Sequence, residues 1–343
     1  MGLGSIVVGN ARPTVALPAP GTCRPTGMRA NGPTGQRKHI QRRPWVFLLG
    51  AILILGACTT MTTKPPQIKV KGIDQPLATG AIVDCAQGKT ISFEQLIEKL
   101  EQVRVVYVGE QHTDRNDHEI QLRIIRALVE KGKNVRVGME MFDHTYAAVL
   151  NRWSAGDLDW KTFLRKTNWY ANWRYDDTLY RDILAYIQKR HLKLIGLNIP
   201  FCIPPKIATG GLDSLSPYER AQLPKTIDTT QPEHRAYVKK IYDFHHFKGR
   251  DNFEDFYAAQ CAWEDGMAQA VADNLDQATM VVLAGNGHIK DKFGIPDRAF
   301  KRTRAPFATV YPAAAGTPLS RTDADFIWIT PAETDAFHMK MKP

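Results

Sequence analysis

The chain has 343 residues, 43% of them apolar and 23% charged, which allows one large domain or two small ones. Its formal charge of +10 is unevenly spread: residues 1–57 hold seven Lys or Arg and no Asp or Glu, leaving 38 basic against 35 acidic residues in the rest. The basic balance therefore belongs to the N-terminal segment, no block of like charge follows it, and a nucleic-acid partner loses its electrostatic basis.

Arg42-Arg43 precede an apolar run from Trp45 to Ala57 that closes on Leu55-Gly56-Ala57-Cys58. Such a run is too short to cross a bilayer comfortably but has the length of a signal-peptide core. Leu-Gly-Ala-Cys fits a lipobox, in which small residues admit the processing enzyme and the thiol takes the lipid. Residues 1–57 are thus expected to be a signal peptide, and Cys58 the lipidation site carrying fatty acyl groups such as palmitate. The product is expected to be a lipoprotein of a bacterial cell envelope, facing the periplasm or the cell surface; a short buried helix with an incidental cysteine is the competing reading. Met28 as the start gives a leader of more ordinary length than Met1, and the match of Arg42-Arg43 to a twin-arginine signal is weak beside Pro44 and Trp45. The Thr-, Lys- and Pro-rich stretch from Thr59 to Gln75 reads as a tether, so the expected organisation is a flexible tether at 58–76, one domain at 77–333 and a tail at 334–343. Cys85, Cys202 and Cys261 form no CxxC; an oxidising compartment permits one disulfide among them, and three buried free thiols is the simpler expectation.

Within the domain, strands and helices alternate. Gly80–Asp84 reads as a short strand, and Ser92 with Gln95 forms a capping box that opens a helix. The β-branched run Val103–Val108 predicts a strand, followed by a helix over Asp117–Lys131 with Ile120, Ile124, Ile125 and Leu128 on one face. Val135–Met141 is the next expected strand. A Trp-rich helical stretch follows from Tyr146 to Tyr175, then a helix over Leu179–Arg190 and a strand over Leu192–Ile199. Helices fill Ile203–Leu275, broken at Pro217, Pro224 and Pro232. Thr279–Ala284, Phe307–Val310 and Phe326–Ile329 are the late strands. Apolar strands separated by helices imply an α/β fold, with a mostly parallel central sheet, helices on both faces and a helical insertion or cap.

Three of these strands stop on polar residues: Glu110-Gln111-His112, Glu140 and Gly285-Asn286-Gly287-His288. In parallel sheets ligands sit at the carboxyl ends of the strands, so two carboxylates and two imidazoles are expected to meet there. Glu110, His112, Glu140 and His288 are candidate catalytic residues for hydrolysis, one as base on water and another as acid, and equally candidate ligands for a divalent metal. Each alone is more often structural, as a helix cap or a hydrogen-bonded core histidine. Three independent strand ends weigh against coincidence.

Several motifs in order also carry a resemblance: Gly109-Glu110-Gln111-His112, Glu140-Met141-Phe142, Tyr180 with its helix, Leu197-Asn198-Ile199-Pro200, Phe256-Tyr257-Ala258-Ala259-Gln260 and the Gly285–His288 turn. From about Gly80 to Thr303 the chain resembles the ChaN-like lipoproteins of the haem-uptake and Tiki superfamily, which also includes erythromycin esterase-like enzymes. A departure is Trp263-Glu264-Asp265, where that family tends to have Trp-Asp-Glu, and the swap puts a role for either acid in doubt. The resemblance implies a haem-binding lipoprotein of iron acquisition that works with envelope haem-uptake machinery, and a homodimer enclosing the cofactor. It points to a tyrosine ligand, since phenolate suits ferric iron. Tyr170, Tyr175 and Trp173, within the cluster Trp169–Tyr180, are candidate haem-binding residues, as are His245 and His246; a packed aromatic cap over the sheet is the plainer role. With no CxxCH, covalent attachment is unsupported. The alternative is an envelope hydrolase built on the Glu–His residues.

Overall fold

Runs of apolar residues at every position, not at alternate ones, make strands that are covered on both sides, and among the described residues six strands lie in parallel. A computed structural model describes residues 68–244 and 251–331. The first elements are β1 (Val70–Lys71), β2 (Ile82–Asp84) and β3 (Lys89–Ile91), then α1 (Phe93–Leu100). The expected capping box is present: Ser92 accepts from Gln95 N, and the Gln95 side chain accepts from Ser92 N. Next come β4 (Val105–Glu110), α2 (Arg115–Glu130), β5 (Val135–Asp143), α3 (Ala147–Ala155), α4 (Trp160–Lys166), α5 (Trp169–Asn172), α6 (Arg181–Lys189) and β6 (Lys193–Asn198). The second half holds α7 (Ile203–Gly210), α8 (Pro217–Arg220), α9 (Pro232–Phe244), α10 (Phe253–Asn274), β7 (Thr279–Gly285), α11 (Ile295–Thr303), β8 (Phe307–Ala314), β9 (Leu319–Ser320) and β10 (Phe326–Thr330). Pro217 and Pro232 open helices, as suits a residue whose missing N–H costs nothing in the first turn.

The main sheet runs β3-β2-β10-β8-β4-β7-β5-β6. All pairs from β10 to β6 are parallel, while β2 and β3 add an antiparallel edge. The sheet is thus mostly parallel, with helices on both faces, as the sequence predicts. Alternation along each strand sends side chains to two cores. Val106, Val108, Val281 and Leu283 pack under α1 to α6, while Val105, Tyr107, Met280, Val282 and Ala284 pack under α10 and α11. Each such fully buried aliphatic side chain contributes about 1.5–3 kcal/mol of transfer free energy.

Pairing extends to residues before 77: Ile68 bridges Leu77, and β1 pairs with β9. The lipobox, Cys58, most of the tether, His245, His246 and the tail from 334 onward lie outside the described residues. Cys85 and Cys261 are buried free thiols, each pushed up to about 12 by burial. Cys202 is not one of the free thiols, so the expectation of three holds for two.

Candidate functional site

Parallel register brings the polar strand ends together. Glu110, last residue of β4, is the register partner of Gly285, last residue of β7. Its even-numbered position sends its side chain to the α2 face. Glu140, on β5, turns instead toward α10, in a segment where the β5–β6 register slips between Met139 and Asp143. That bulge needs Gly196 on β6, because a Cβ there would stand 2.5 Å from the Asp143 carbonyl oxygen. Asn198 Nδ2 then donates to the Glu140 carbonyl at 3.0 Å and steadies the bulged strand.

Two carboxylate–imidazole pairs meet across Gly285. Glu110 Oε1 lies 2.8 Å from His112 Nδ1 and accepts from the Tyr180 hydroxyl at 2.6 Å. Its Oε2 accepts from Gln121 Nε2 at 2.9 Å and lies 3.5 Å from His118 Nδ1. On the other side Glu140 Oε2 accepts from Gly285 N at 2.7 Å, and Oε1 lies 3.4 Å from His288 Nε2. A Cβ on Gly285 would reach within 2.8 Å of His112 Cε1 and 3.6 Å of Glu140 Oε2, which shows how closely the two pairs approach. The sequence-derived quartet Glu110, His112, Glu140 and His288 therefore lines one crevice at the carboxyl edge of the sheet.

Behind His288 stands a residue whose role the sequence left in doubt. Glu264 of α10 places Oε1 3.2 Å from His288 Nδ1 and accepts from Gln260 Nε2 at 2.8 Å. Its Oε2 is 3.0 Å from His234 Nε2, at ion-pair distance but outside hydrogen-bond alignment, and 3.5 Å from Arg298 Nε. The neighbouring Asp265 turns away, pairing with Arg298 Nη1 and with Arg302 Nη2, the latter at 2.7 Å. His118, Gln121, Glu264, His234 and Arg298 were not singled out from sequence as site residues. The available signal was polar side chains at 117, 118 and 121 on the buried stripe of α2, where solvent offers them nothing.

Burial acts against charge in this crevice, and the partners reverse it. Burial pushes the Glu110 carboxyl up, but His118 and His112 hold it well below the ordinary range. Burial likewise opposes ionised Glu140, which His288, His112 and the Gly285 N–H keep low. Glu264 follows the same pattern, held low by His234 and His288. For His288, burial disfavours the imidazolium, yet Glu140 and Glu264 push its pKa up to about 10. His112 is also raised, against burial, by Glu110 and Glu140.

Among the described residues no group of three or more His, Cys, Asp or Glu side chains is arranged to hold an ion. Coordination of a divalent metal by Glu110, His112, Glu140 and His288 is therefore not supported by the geometry of the described residues.

Aromatic residues pack around His112, Trp173 buried and Tyr175 half-buried. The His112 ring packs edge-on to Trp173 at 4.7 Å and tilted against Tyr175 at 5.0 Å. Trp169 and Tyr180 are fully buried beneath, so they belong to the core. Tyr170 is 49% exposed, and its phenol donates to Asp177; burial and that acid push it up to about 12. A cavity of about 790 Å³ opens elsewhere, between the Leu223–Thr230 loop and α11, and shares no residue with the Glu–His quartet.

The fold and the crevice define an α/β protein with a helix-covered, mostly parallel sheet and a Glu–His site at its carboxyl edge. The sequence profile described as haem-binding uptake, Tiki superfamily, ChaN matches residues 96–299, and the chain belongs to that family. Its fold matches ChaN of Campylobacter jejuni, solved with cofacial haem, at a TM-score of 0.59 and 20% identity, over 72% of this chain and 95% of that one. More distant similarity extends to an erythromycin esterase (TM-score 0.41, 14% identity, 69% of this chain and 76% of that one) and to the type III effector HopBA1 (TM-score 0.40, 15% identity, 69% and 92%). No curated protein matches the chain.

Proposed function

We propose that the protein binds haem non-covalently as a lipoprotein of haem or iron uptake, anchored through Cys58 in a bacterial envelope, where it meets the haem-uptake machinery. Membership of the haem-binding uptake family over residues 96–299 carries this reading. The residues beside His112 fit the cofactor in kind: half-buried Tyr175, packed against Trp173, offers aromatic wall, and a phenol is an oxygen donor suited to ferric iron. Tyr170 and Tyr175 differ as donors. The Tyr170 hydroxyl is committed to Asp177, which disfavours phenolate beside it. Burial, Glu140 and Glu110 raise Tyr175 as well, but its hydroxyl makes no hydrogen bond among the described residues, and on that difference we assign it the axial role ahead of Tyr170. His245 and His246 stay as candidates on sequence grounds.

Titrating the protein with haemin tests this. The expected result is a Soret band saturating at a defined stoichiometry and altered in Tyr175→Phe, with Tyr170→Phe close to the parent. No saturable binding would refute it. A homodimer enclosing the cofactor, as the family resemblance implies, is the assembly we propose, and sedimentation with and without haemin reads it directly.

A second reading, an envelope hydrolase, is favoured by one observation: two carboxylate–imidazole pairs, their carboxylates buried, converge closely across Gly285. Ordered acid–base groups of this kind suit attack of water on an ester or amide. Turnover of a panel of simple esters, abolished in Glu140→Gln, is the corresponding test.

A further inference from the structure

The α10 helix turns one face toward a single histidine. Gln260, Trp263 and Glu264, at i, i+3 and i+4, lie side by side on that face. Gln260 Nε2 is 3.3 Å from His288 Nδ1, the Trp263 ring meets the imidazole edge-on at 5.0 Å, and Glu264 Oε1 is 3.2 Å from Nδ1. From the opposite side, Nε2 faces Glu140 of β5 at 3.4 Å. Both ring nitrogens thus look at carboxylates, an arrangement that suits a doubly protonated ring, with the Gln260 amide nitrogen donating to Glu264 Oε1 at 2.8 Å, closer than its 3.3 Å approach to Nδ1.

We propose that Glu264 is the positioning residue of the crevice: it holds His288 by its Nδ1 proton as a fixed cation beside Glu140, not as a proton acceptor. A fixed positive charge at this depth stabilises an oxygen that gains negative charge on a bound ester or amide. The proposal rests on the hydrolase reading for its purpose, though not for its geometry. Glu264 is itself anchored: Gln260 donates to Oε1, and His234 and Arg298 stand against Oε2. The adjacent acid does different work. Asp265 accepts from Asp228 N at 2.8 Å and pairs with Arg298 and Arg302, tying α10 to α11 and the loop before α9 without touching His288. The order Glu264-Asp265 therefore assigns one acid to the site and one to the scaffold. The other charged groups facing His288 are Glu140 from β5 and, across Gly285, His112 from the loop after β4.

The test is a histidine titration by NMR on the full-length protein with labelled imidazoles, the His288 signal being assigned by its loss in His288→Gln. In Glu264→Gln the His288 pKa should fall by about one to three units, the effect of removing an adjacent opposite charge. In Asp265→Asn it should stay within about 0.3 unit of the parent, which a merely structural role for both acids would not produce. If Glu264→Gln does not fold by circular dichroism, Glu264→Asp replaces it. That variant keeps the charge near His234 and Arg298 but withdraws the carboxylate by about one bond length, and the same downward direction is expected. A His288 titration unaltered in the folded Glu264 variant, or shifted equally by Asp265→Asn, overturns the proposal. No substrate enters the titration, so a parent protein without ester turnover defeats the hydrolase reading and leaves the positioning role standing.

Discussion

Replacing Gly285 by Ala isolates the space between the two carboxylate–imidazole pairs. The backbone there has φ −55° and ψ 143°, which any L-residue adopts, so no strain arises from the dihedrals. On that ground alone the substitution would stabilise the fold by about 0.4–1 kcal/mol, by restricting the unfolded chain. Space decides the other way. The new methyl would stand 2.8 Å from His112 Cε1 and 3.2 Å from Nε2, so the ring must retreat by several tenths of an ångström or more. The ring is held by Glu110 at 2.8 Å and walled by Trp173 and Tyr175, and overpacking of this sort costs about 1–3 kcal/mol. The net expectation is a loss of about 1 kcal/mol of stability, small for the fold but concentrated on His112. Urea denaturation gives the first quantity, and the His112 imidazole resonances give the second. A Gly285→Ala protein as stable as the parent or more so, with His112 signals unmoved, would refute the claim that glycine is there to let the two pairs approach.

Other perturbations follow from the same geometry. Because the His288 pKa is raised from its ordinary 6.5 to about 10, its charged form stabilises the fold fully below about pH 6.5 and progressively less as pH rises toward 10. Melting temperatures from pH 6 to 10 should therefore fall more steeply for the parent than for His288→Gln, and parallel curves would contradict this. Arg298→Met leaves buried Glu264 and Asp265 short of a cation and should cost about 3 kcal/mol in urea denaturation; a loss below about 1 kcal/mol would show that Arg302 and His234 suffice. Cys58→Ala is expected to abolish labelling by a clickable palmitate and leave the precursor unprocessed, and equal labelling of mutant and parent would remove the lipid anchor.

The legible parts of this molecule are those where one physical rule acts alone. Long apolar runs such as Val105–Val108 and Thr279–Ala284 predict their own strands, and parallel order then predicts that Glu110, Glu140 and His288 share an edge. The antiparallel hairpin of β2 and β3 was only half visible, because Lys89–Ile91 is short and mostly exposed and carries little pattern. β1 was read as tether, since a two-residue strand beside Pro-rich chain depends on β9, far away in sequence, for its pairing. Glu264 lay within a motif whose order differs from the family habit, and sequence could not say which acid turns inward. Helical phase answers that question only when the axis of α10 is fixed against the sheet. His118 and Gln121 were hidden for a related reason: on paper they interrupt an apolar face, and in the fold they are its contact with Glu110.

Haem and hydrolysis make different demands on one crevice, and depth separates them. The interior is crowded enough that Gly285 has no room for a methyl group, and its ionised carboxylates are each matched to imidazoles. A porphyrin is far too large for that space and would gain little from it, since its faces call for flat apolar walls. Beside His112, half-buried Tyr175 packed against Trp173 offers such a wall and a phenol with no hydrogen bond among the described residues. What the interior offers instead is charge placed in advance at its edge, which acts on a polar group brought against it. Trp173 and Tyr175 therefore serve either reading, as a bed for haem or as the outer wall of a substrate channel. What differs is whether the buried Glu–His pairs act on a substrate or only brace the ring of His112 from behind.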